Sequence, residues 1–469
     1  MSNIILNTDS YKYSMFNQYP AGTEYVYSYI ESRGGPWPAT LFYGLQAFLI
    51  EYLVNPITKE DIDEAEALIT AHGEPFYREG WEHILNAHGG FLPVQIRSVD
   101  EGTIVPVGNV LVDIVNTDPK CFWLTTFLET ALLRAIWYPT TVATNSLESK
   151  KIIRQYLEIN GDPNLIDFKL HDFGARGVSS FESAGLGASA HLINFLGTDT
   201  VSGLVFARKY YSSGVVGFSI PAMEHSTVTS WGKDHEVDSF RNMLKQYGKP
   251  GAILACVSDS YDIYEACKKW GTELKEEVIS SGATLVVRPD SGEPSEVVLN
   301  CVRILDKYFG HTVNDKGYKV LNNVRVIQGD GVDHTTIHSV LSVLHLARYS
   351  ADNVAFGQGG ALTQMVNRDT MKFAMKCSAI GVREMVSIPE LCTDKMELVW
   401  RDVFKDPITD SGKRSKKGRL HLFRTNGRYE TVTSKTHFKT QDDLLIDRFE
   451  DGVMYNETTF DAIRARARA

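Results

Sequence analysis

The chain has 469 residues, too many for one small core, and the expected organisation is two or three domains. Hydrophobic residues make up 43% and charged residues 23% of the chain, a composition typical of soluble globular proteins. With 48 basic and 58 acidic residues the formal net charge is −10, which argues against nucleic acids and anionic membranes as partners because both favour a basic surface.

Neither export nor membrane insertion is indicated by the sequence. No apolar run reaches the ~18 to 20 residues that span a bilayer, and the start MSNIILNTDSYKYS lacks a basic segment followed by a long apolar one. We therefore expect a cytoplasmic protein. The absence of a CxxC pair argues against a cysteine zinc site or a disulfide framework. The six cysteines are Cys121, Cys256, Cys267, Cys301, Cys377 and Cys392.

Residues 1–165 mix short β-like runs with helical stretches and lack a regular alternation of the two. The β-like runs are EYVYSYIES, LPVQIRSV and NVLVDIVNT, and the segment CFWLTTFLETALLRAIWY has helical character. The pattern predicts the first part of an α+β domain.

Residues 166–372 change to repeated units of one strand and one helix, in which each apolar run ends in a polar or glycine-rich cluster. The clusters read HDFGARG, GTDT, PAMEH, VSDSYD, VRPDSG, IQGDGVD and AFGQGG, and they follow one another at roughly 26 to 40 residues. Parallel strands in such units close into a barrel and end on the same rim, so the clusters should converge there. The sequence predicts an irregular (β/α) barrel and an enzyme.

Residues 373–469 leave this rhythm. The runs GRLHLFRT and RYETVT flank Asn426 and Gly427, a pair typical of a two-residue hairpin turn. We expect this last segment to return to the α+β domain that residues 1–165 begin.

Four aspartates follow predicted strands of successive units, namely Asp199, Asp259, Asp290 and Asp330. A single aspartate at such a place often only caps the next helix. Four that converge would repel one another unless a cation lies among them, and Mg²⁺ commonly accompanies phosphate chemistry. We therefore predict a ligand or metal role for at least two of them.

His225 ends the run GFSIPAMEH, and a lone histidine there could be purely structural. Asp259, at the end of the next strand, could hold one ring nitrogen and leave the other free as a nucleophile or base. The glycines of QGDGVD and FGQGG form either tight turns or amide donors to a phosphate. The basic run from Lys413 to Arg419 is either a solvated loop or a loop that faces phosphates.

Long stretches of the chain resemble the nicotinamide phosphoribosyltransferase family. They are TDSYK, FYGLQ, WYPTTVATNS, HDFGARGVSSFESAGLGASAHLINFLGTDT, PAMEHST, WGKDHE, VSDSYDIY, RPDSG, IQGDGVD, AFGQGG, and FKDP with KRSKKGRL. The resemblance implies a Mg²⁺-dependent homodimer with shared active sites. Its reaction in NAD salvage would join nicotinamide to 5-phosphoribosyl-1-pyrophosphate, giving nicotinamide mononucleotide and pyrophosphate, with ATP hydrolysis through a phosphohistidine.

The same resemblance implies roles for individual residues in binding nicotinamide and ribose. Phe173 and Tyr11 of the partner subunit would stack on the two faces of the pyridine ring. Asp199 would accept from the carboxamide nitrogen and Arg288 would donate to its oxygen. The other implied substrate-binding residues are Asp9, Asp290, Gly329 and Asp330, with the amides of Gly359 and Gly360 on the 5-phosphate.

The same resemblance implies that a further set of residues takes part in phosphate chemistry. His225 would be phosphorylated and oriented by Asp259, while Asp259 and Asp290 are the candidate Mg²⁺ ligands. The side chains that bind pyrophosphate and the ATP phosphates would be Arg176, Arg33, Arg368, Lys376 and Lys413. Three of them, Arg33, Arg368 and Lys376, would come from the partner subunit.

Two alternatives share this architecture. One is a nicotinate phosphoribosyltransferase, which Asp199 disfavours because a carboxylate repels the carboxylate of nicotinate. The other is a non-catalytic nucleotide-binding or signalling protein, for which the set of His225, Asp259, Asp290 and Arg288 is not required. The chain departs from the family pattern at Ala175, where the family has tyrosine, at Ala374, where it has a hydroxyl residue, and in a longer segment at 380–402.

Overall fold

The structure, a computed structural model, describes residues 3–388, 393–434 and 442–468. The chain forms two compact units. The sheet unit comprises Met1–Thr144, Tyr210–Ser212 and Asn367–Ala469, and the barrel unit comprises Asn145–Lys209 and Ser213–Val366. The barrel unit begins before residue 166, where the sequence places its start, because Ile153, Tyr156 and Leu157 are buried in its core. No helix in the described ranges is long and apolar enough to cross a membrane.

The strands are, in chain order, β1 (Thr23–Ser32), β2 (Ala39–Leu41), β3 (Val94–Ser98), β4 (Ile104–Pro106), β5 (Val110–Asn116), β6 (Leu170–Asp172), β7 (Gly197–Thr198), β8 (Ile253–Val257), β9 (Thr284–Arg288), β10 (His311–Val313), β11 (Lys319–Leu321), β12 (Val324–Gln328), β13 (Val354–Gln358), β14 (Phe373–Ile388), β15 (Thr393–Asp402), β16 (Leu420–Thr425), β17 (Arg428–Thr433), β18 (Ile446–Glu450) and β19 (Val453–Met454).

The α-helices are α1 (Leu45–Phe48), α2 (Lys59–His72), α3 (Arg78–Ala87), α4 (Leu124–Phe127), α5 (Glu129–Asn160), α6 (Phe181–His191), α7 (Val201–Tyr211), α8 (His225–Thr229), α9 (Glu236–Tyr247), α10 (Ile263–Thr272), α11 (Lys275–Ser281), α12 (Pro294–Phe309), α13 (His334–Leu346), α14 (Gly360–Thr363) and α15 (Phe460–Arg468). Short 3-10 helices lie at Ile4–Leu6, Ser10–Asn17, Pro119–Cys121, Pro163–Phe168, Lys233–His235, Ala351–Asn353 and Ser411–Lys413, and a π-helical turn lies at Leu49–Leu53.

The sheet unit is built on an antiparallel sheet with strand order β15-β14-β1-β5-β3-β18-β19, so strands from both ends of the chain lie side by side. This confirms the predicted α+β domain formed by the N- and C-terminal segments. The predicted hairpin is also present, as β16 and β17 joined at Asn426 and Gly427. Both turn residues have positive φ, 50° and 78°, as a tight hairpin requires.

The barrel unit contains a parallel sheet with strand order β7-β6-β13-β12-β9-β8. An irregular segment joins its two edges: Phe218 bridges to Gly197 in β7, and Ala222 bridges to Ala255 in β8. Around the ring the strands therefore follow chain order, which confirms the predicted irregular (β/α) barrel. Pro221 lies within the closing segment and has no N–H to donate, which helps to keep the pairing to isolated bridges.

The barrel is filled and covered by the side chains that its sequence pattern predicts. Ala255 of β8, Val286 of β9 and Ile327 of β12 form a small apolar cluster. Helices α12 and α13 each bury one apolar face. That of α12 consists of Val298, Cys301, Val302 and Leu305, and that of α13 consists of Ile337, Val340, Leu341 and Leu344. The polar clusters that follow the strands lie at the rim formed by the carboxyl ends of the strands, here called the barrel mouth.

Candidate active site at the barrel mouth

The aspartates at the barrel mouth are not the helix caps of their units. The side chain of Asp262 caps α10, Glu293 caps α12 and Asp333 caps α13. Asp259, Asp290 and Asp330 each lie three residues before those caps. Their carboxylates are therefore left for other interactions, which weighs against the purely structural interpretation.

His225 and Asp259 form a hydrogen-bonded pair. Helix α8 begins at His225, and its Nε2 lies 2.9 Å from Oδ1 of Asp259. Asp259 is 5% exposed, whereas the imidazole is 46% exposed. The second oxygen, Oδ2 of Asp259, accepts from the amide of Asp290 at 3.0 Å and from Oγ of Ser291 at 2.6 Å. Asp259 is thus fixed by three donors and fixes the ring in turn, while Nδ1 is left as the second ring nitrogen of an accessible histidine.

Arg288, Asp290, Gly329 and Phe173 meet at one point of the mouth. One terminal nitrogen of Arg288 donates to Oδ2 of Asp290 at 2.8 Å, and its guanidinium lies 5.7 Å from the centroid of the Phe173 ring. Nε of Arg288 is buried and finds no partner in the part of the chain that the structure describes. A side chain at Gly329 would place its Cβ 3.2 Å from this Nε and 3.3 Å from both Asp290 Oδ1 and the Phe173 ring. Glycine keeps this corner open for a ligand.

Phe173 itself is seated on Gly357. A Cβ at Gly357 would lie 1.9 Å from Cε2 of Phe173, so only glycine permits this position of the ring. The amide of Phe173 donates to the carbonyl of Gln358 at 2.9 Å. The ring is half-buried, which leaves part of it exposed at the mouth.

Asp172 and Asp199 differ in environment although they lie at the carboxyl ends of the neighbouring strands β6 and β7. Asp172 is fully buried, and its oxygens accept from the Gly174 amide at 2.7 Å and from Oγ1 of Thr198 at 3.2 Å. Burial raises the pKa of Asp172, as does the charge of Asp199. Asp199 is exposed and accepts from Oγ of Ser219 at 2.6 Å. Asp199 is therefore the carboxylate of this pair that faces solvent.

The remaining predicted barrel residues also lie at strand ends. Gly359 and Gly360 follow β13; a Cβ at Gly359 would lie 3.5 Å from the Phe173 carbonyl oxygen, and one at Gly360 would meet open space. Arg176 and Asp330 are exposed, and the Asp330 carbonyl accepts from the side-chain amide of Gln328 at 2.7 Å.

Within the sheet unit, three of the predicted phosphate-binding cations lie together with Lys12. The four residues, here called the cation cluster, are Lys12, Arg33, Arg368 and Lys376. Burial lowers the pKa of Lys376; the charge of Glu129 opposes this, and the charges of Arg33, Lys12 and Arg368 lower the pKa further. The carboxylate of Glu129 offsets part of the repulsion among these cations. Its Oε2 lies 2.5 Å from Nζ of Lys12, and its Oε1 lies 4.0 Å from Nζ of Lys376. Four cations this close together are suited to bind a polyanion.

The buried carboxylate of Glu31 pairs with one member of the cation cluster and with a lysine outside it. It is 3% exposed, accepts from Nε of Arg33 at 2.8 Å, and also pairs with Lys416. Lys416 belongs to the basic run from Lys413 to Arg419. In its last residue, Arg419, the guanidinium carbon Cζ lies 4.6 Å from the centroid of the Trp400 ring. Lys413 is exposed and lies 3.6 Å from Asp410.

The predicted N-terminal residues lie at the 3-10 helix Ser10–Asn17. Asp9 precedes it and accepts from Oγ1 of Thr130 at 2.6 Å. Tyr11 is 56% exposed, and Nζ of Lys12 lies 5.1 Å from its ring centroid. An aromatic ring so exposed on a well-packed unit is available to a partner.

Sequence reasoning missed several residues that the structure places in these groups. Ser219 and Ser291 orient Asp199 and Asp259, while Lys12, Glu31 and Lys416 belong to the cation cluster or its support. A serine in a loop or a lysine next to a glutamate carries no signal of its own in one sequence.

The barrel mouth offers oxygen ligands for Mg²⁺ without a complete preformed cage. Within residues 3–388, 393–434 and 442–468, no three ligating atoms of His, Cys, Asp or Glu converge at the mouth to within 4.8 Å. Both oxygens of Asp259 are taken by protein donors, whereas Asp290 is 19% exposed. This donor set fits an ion held by one carboxylate together with substrate phosphates.

Comparison with known proteins agrees with this geometry. Residues 168–452 match the model of the nicotinate phosphoribosyltransferase (NAPRTase) family, and residues 3–96 match that of the nicotinamide phosphoribosyltransferase N-terminal domain. The nicotinamide phosphoribosyltransferase of Xanthomonas campestris pv. campestris is 54% identical over 477 residues, covering 100% of this chain and 99% of the relative. That of Acinetobacter baylyi is 30% identical over 497 residues, covering 98% and 95%.

Solved structures show the same fold at low sequence identity. The nicotinate-nucleotide pyrophosphorylase from Pyrococcus furiosus aligns with a TM-score of 0.59 and 16% identity, covering 99% of this chain and 94% of that one. Human nicotinic acid phosphoribosyltransferase aligns with a TM-score of 0.53 and 16% identity, covering 99% and 93%. This chain belongs to the nicotinate phosphoribosyltransferase family and, within it, to the nicotinamide phosphoribosyltransferases.

Proposed function

We propose that this chain joins nicotinamide to 5-phosphoribosyl-1-pyrophosphate, forming nicotinamide mononucleotide and pyrophosphate in NAD salvage. The observation that carries the proposal is the meeting of Arg288, Asp290, Phe173 and Gly329, which combines an aromatic platform, a free buried donor and a carboxylate around one open corner. The identity of 54% to a nicotinamide phosphoribosyltransferase over the whole chain supports it.

Nicotinamide would lie on the exposed part of the Phe173 ring. The unpartnered Nε–H of Arg288 is suited to donate to the carboxamide oxygen, and Asp199 is suited to accept from the carboxamide nitrogen. Ser219 holds one oxygen of Asp199 and so helps to fix its orientation. The ring nitrogen is then held in line with the anomeric carbon of the ribose, which is most of what an uncharged, weak nucleophile needs.

The ribose would be held by Asp290, Gly329 and Asp330, and the 5-phosphate by the amides of Gly359 and Gly360. A bound Mg²⁺ would neutralise charge on the leaving pyrophosphate, with Asp290 as its protein ligand. Asp259 fits the metal role less well because both of its oxygens accept from protein donors. Displacement at the anomeric carbon passes through an oxocarbenium-like state, which the carboxylate of Asp290 stabilises electrostatically.

ATP would act through His225. Asp259 accepts a hydrogen bond from Nε2, which leaves the lone pair on Nδ1 to attack the γ-phosphorus of ATP. The N–P bond forms as the bond to the ADP oxygen breaks, and water later hydrolyses the phosphohistidine. A negative charge on an exposed histidine at the mouth would change the affinity for substrates without taking part in the glycosyl transfer itself.

The active form would be a homodimer. The exposed Tyr11 and the cation cluster of one subunit would complete the barrel mouth of the other, Tyr11 against the pyridine ring and the cations, with Arg176 of the barrel, on the phosphates. Lys413 remains a candidate for the same polyanion.

Product analysis tests the proposed function. The protein is incubated with Mg²⁺, ATP, phosphoribosyl pyrophosphate and either nicotinamide or nicotinate, and mononucleotides and pyrophosphate are quantified by chromatography and mass spectrometry. We expect nicotinamide mononucleotide and an equimolar amount of pyrophosphate with nicotinamide, and little product with nicotinate. Product from nicotinate alone would assign the nicotinate reaction instead, and tight binding of the phosphoribosyl donor without product would indicate a binding protein.

A further inference from the structure

Two histidines and an aspartate of the sheet unit converge at a place that the proposed reaction does not use. His83 lies in α3, His88 directly follows that helix, and Asp118 precedes the 3-10 helix Pro119–Cys121. Nε2 of His83 and Nε2 of His88 each lie 2.7 Å from the same atom, Oδ2 of Asp118. The three atoms lie within 4.8 Å of one another. Two separate segments thus bring three metal-ligating atoms to one point.

The backbone on the aspartate side is fixed. Oδ1 of Asp118 accepts from the amide of Lys120 at 2.8 Å, and its carbonyl accepts from the side-chain amide of Asn116 at 2.8 Å. The two segments are also packed together, because Trp81 of α3 meets Trp123 edge-on with ring centroids 4.8 Å apart. The two segments that carry the ligating groups are therefore held together by contacts outside the triad.

The triad is accessible from one side. The side chains of His83, His88 and Asp118 are 25%, 24% and 17% exposed, enough for an ion to enter and for water to complete its coordination. Burial raises the pKa of Asp118, but the hydrogen bonds from His83 and His88 outweigh it and lower the pKa to about 2.

We propose that His83, His88 and Asp118 form a binding site for a divalent transition-metal ion of the Zn²⁺ class. Two imidazole nitrogens and one carboxylate oxygen are a common Zn²⁺ ligand set, with a water molecule as fourth ligand. In the metal-free state each Nε2 lies at hydrogen-bond distance from Asp118; on binding, each neutral imidazole carries its proton on Nδ1 and offers the Nε2 lone pair to the ion. Mg²⁺ is excluded by chemistry because it prefers oxygen ligands.

The bound ion would link the end of α3 to the segment before the 3-10 helix Pro119–Cys121. Metal bound only by the folded chain stabilises it in proportion to the logarithm of the ion concentration over the dissociation constant. The site therefore predicts a zinc-dependent stability of the sheet unit and no change in the glycosyl transfer.

The test uses the full chain, stripped of metal with a chelator and titrated with Zn²⁺ in the presence of excess Mg²⁺. The comparison is the double variant His83→Gln, His88→Gln, in which each glutamine keeps a donor toward Asp118 but is a poor zinc ligand. His72→Gln, at an exposed histidine in α2, is the matched control. We expect one more Zn²⁺ per chain in the wild type and in His72→Gln than in the double variant, whose affinity for that ion falls by at least ~100-fold. We also expect a zinc-dependent rise in Tm that only the double variant lacks, and equal mononucleotide synthesis in all three.

Equal zinc stoichiometry and equal Tm response in the wild type and the double variant would overturn the proposal. If the double variant does not fold, anomalous scattering at the zinc edge from wild-type crystals grown with Zn²⁺ gives the answer directly. An ion between His83, His88 and Asp118 supports the site, and zinc found only elsewhere on the chain overturns it.

Discussion

Nε2 of His225 lies 2.9 Å from Oδ1 of Asp259, although 34 positions separate the two residues in the chain. The pairing arises because β8 ends just before Asp259 and the irregular segment that closes the barrel ends just before His225. Asp259 also accepts from the amide of Asp290, so one carboxylate connects the proposed phosphate acceptor to the proposed ribose-binding residue. ATP turnover and substrate binding would therefore be coupled through two hydrogen bonds.

The first prediction concerns that pair. We expect His225→Ala to abolish ATP hydrolysis yet retain slow mononucleotide synthesis, and Asp259→Asn to be intermediate, because the carboxylate fixes the ring tautomer without accepting phosphate itself. Incubation with γ-labelled ATP, followed by acid and alkali, checks it, since phosphohistidine is acid-labile and alkali-stable. His235→Ala, at an exposed histidine paired with Asp238 at 2.9 Å, is the control that keeps its label. Alkali-stable label in His225→Ala would place the phosphate on another residue.

A second prediction concerns Gly329, where only the absence of a side chain keeps the corner beside Arg288 open. A Cβ there would lie 3.2 Å from Nε of Arg288, so Gly329→Ala should displace the guanidinium by a few tenths of an ångström and lower kcat/KM by about tenfold. Gly214→Ala is the matched control because its Cβ would meet open space. Steady-state kinetics with both substrates decide the matter, with Tm measured alongside. Equal kinetics in the two variants would show that the corner is not part of the substrate site.

A third prediction concerns the shared active site. Tyr11→Ala and Asp290→Ala should each be inactive as homodimers, and a mixed dimer should regain one complete site, giving up to about a quarter of wild-type activity after random exchange. Subunit exchange is followed with two affinity tags while activity is assayed. Demonstrated exchange without recovered activity would rule out the shared-site arrangement.

A fourth prediction concerns pH. His191 is buried, with Nδ1 2.9 Å from Oγ of Ser146 and Nε2 3.1 Å from the carbonyl of Gly197, and burial lowers its pKa to about 3. Between about pH 3 and the ordinary pKa of 6.5, the imidazole is protonated in the unfolded chain but not in the folded one, so the folded state loses stability as the pH falls through this range. His191 would lower the unfolding free energy by up to ~1.4 kcal/mol for each pH unit.

Urea unfolding from pH 4 to 7 measures this effect. The slope of the unfolding free energy against pH reports how many more protons the unfolded chain binds than the folded chain. His191→Gln should reduce this number by up to one, whereas the same change at the exposed His235 should not. A slope in His191→Gln equal to that of the wild type would show that the imidazole is not held neutral.

The architecture could be predicted from the sequence because it depends on repetition. Apolar runs that end in polar clusters recur along the barrel unit, and the pair Asn426 and Gly427 specifies a turn with positive φ. The closing segment with Phe218 and Ala222 gave only a short apolar run, because its pairing is confined to bridges. The assignment of single residues to nicotinamide, ribose and phosphates depended on family resemblance, since spacing cannot tell Asp199 from Asp172.

The histidine triad shows why other groups escape such reasoning. Residues five apart do not share a helix face, so His83 and His88 suggest no common ligand. They meet because α3 ends at Ala87 and His88 adopts a non-helical backbone, with φ −115° and ψ 11°. Asp118 then arrives from a different part of the sequence. Convergence of this kind is created by the fold and leaves no local pattern.

The central claim is transfer to nicotinamide, and a competition assay tests it most directly. Equal concentrations of nicotinamide and nicotinate are offered together with phosphoribosyl pyrophosphate, and the ratio of the two mononucleotides gives the ratio of kcat/KM. We predict that nicotinamide mononucleotide dominates for the wild type. The ratio should fall by ~10-fold or more in Asp199→Ser, which loses a charged acceptor and a repulsive carboxylate, but not in the exposed-site control Asp234→Ser. Nicotinate mononucleotide as the main wild-type product would contradict the central claim, and an unchanged ratio in Asp199→Ser would contradict the role of that carboxylate.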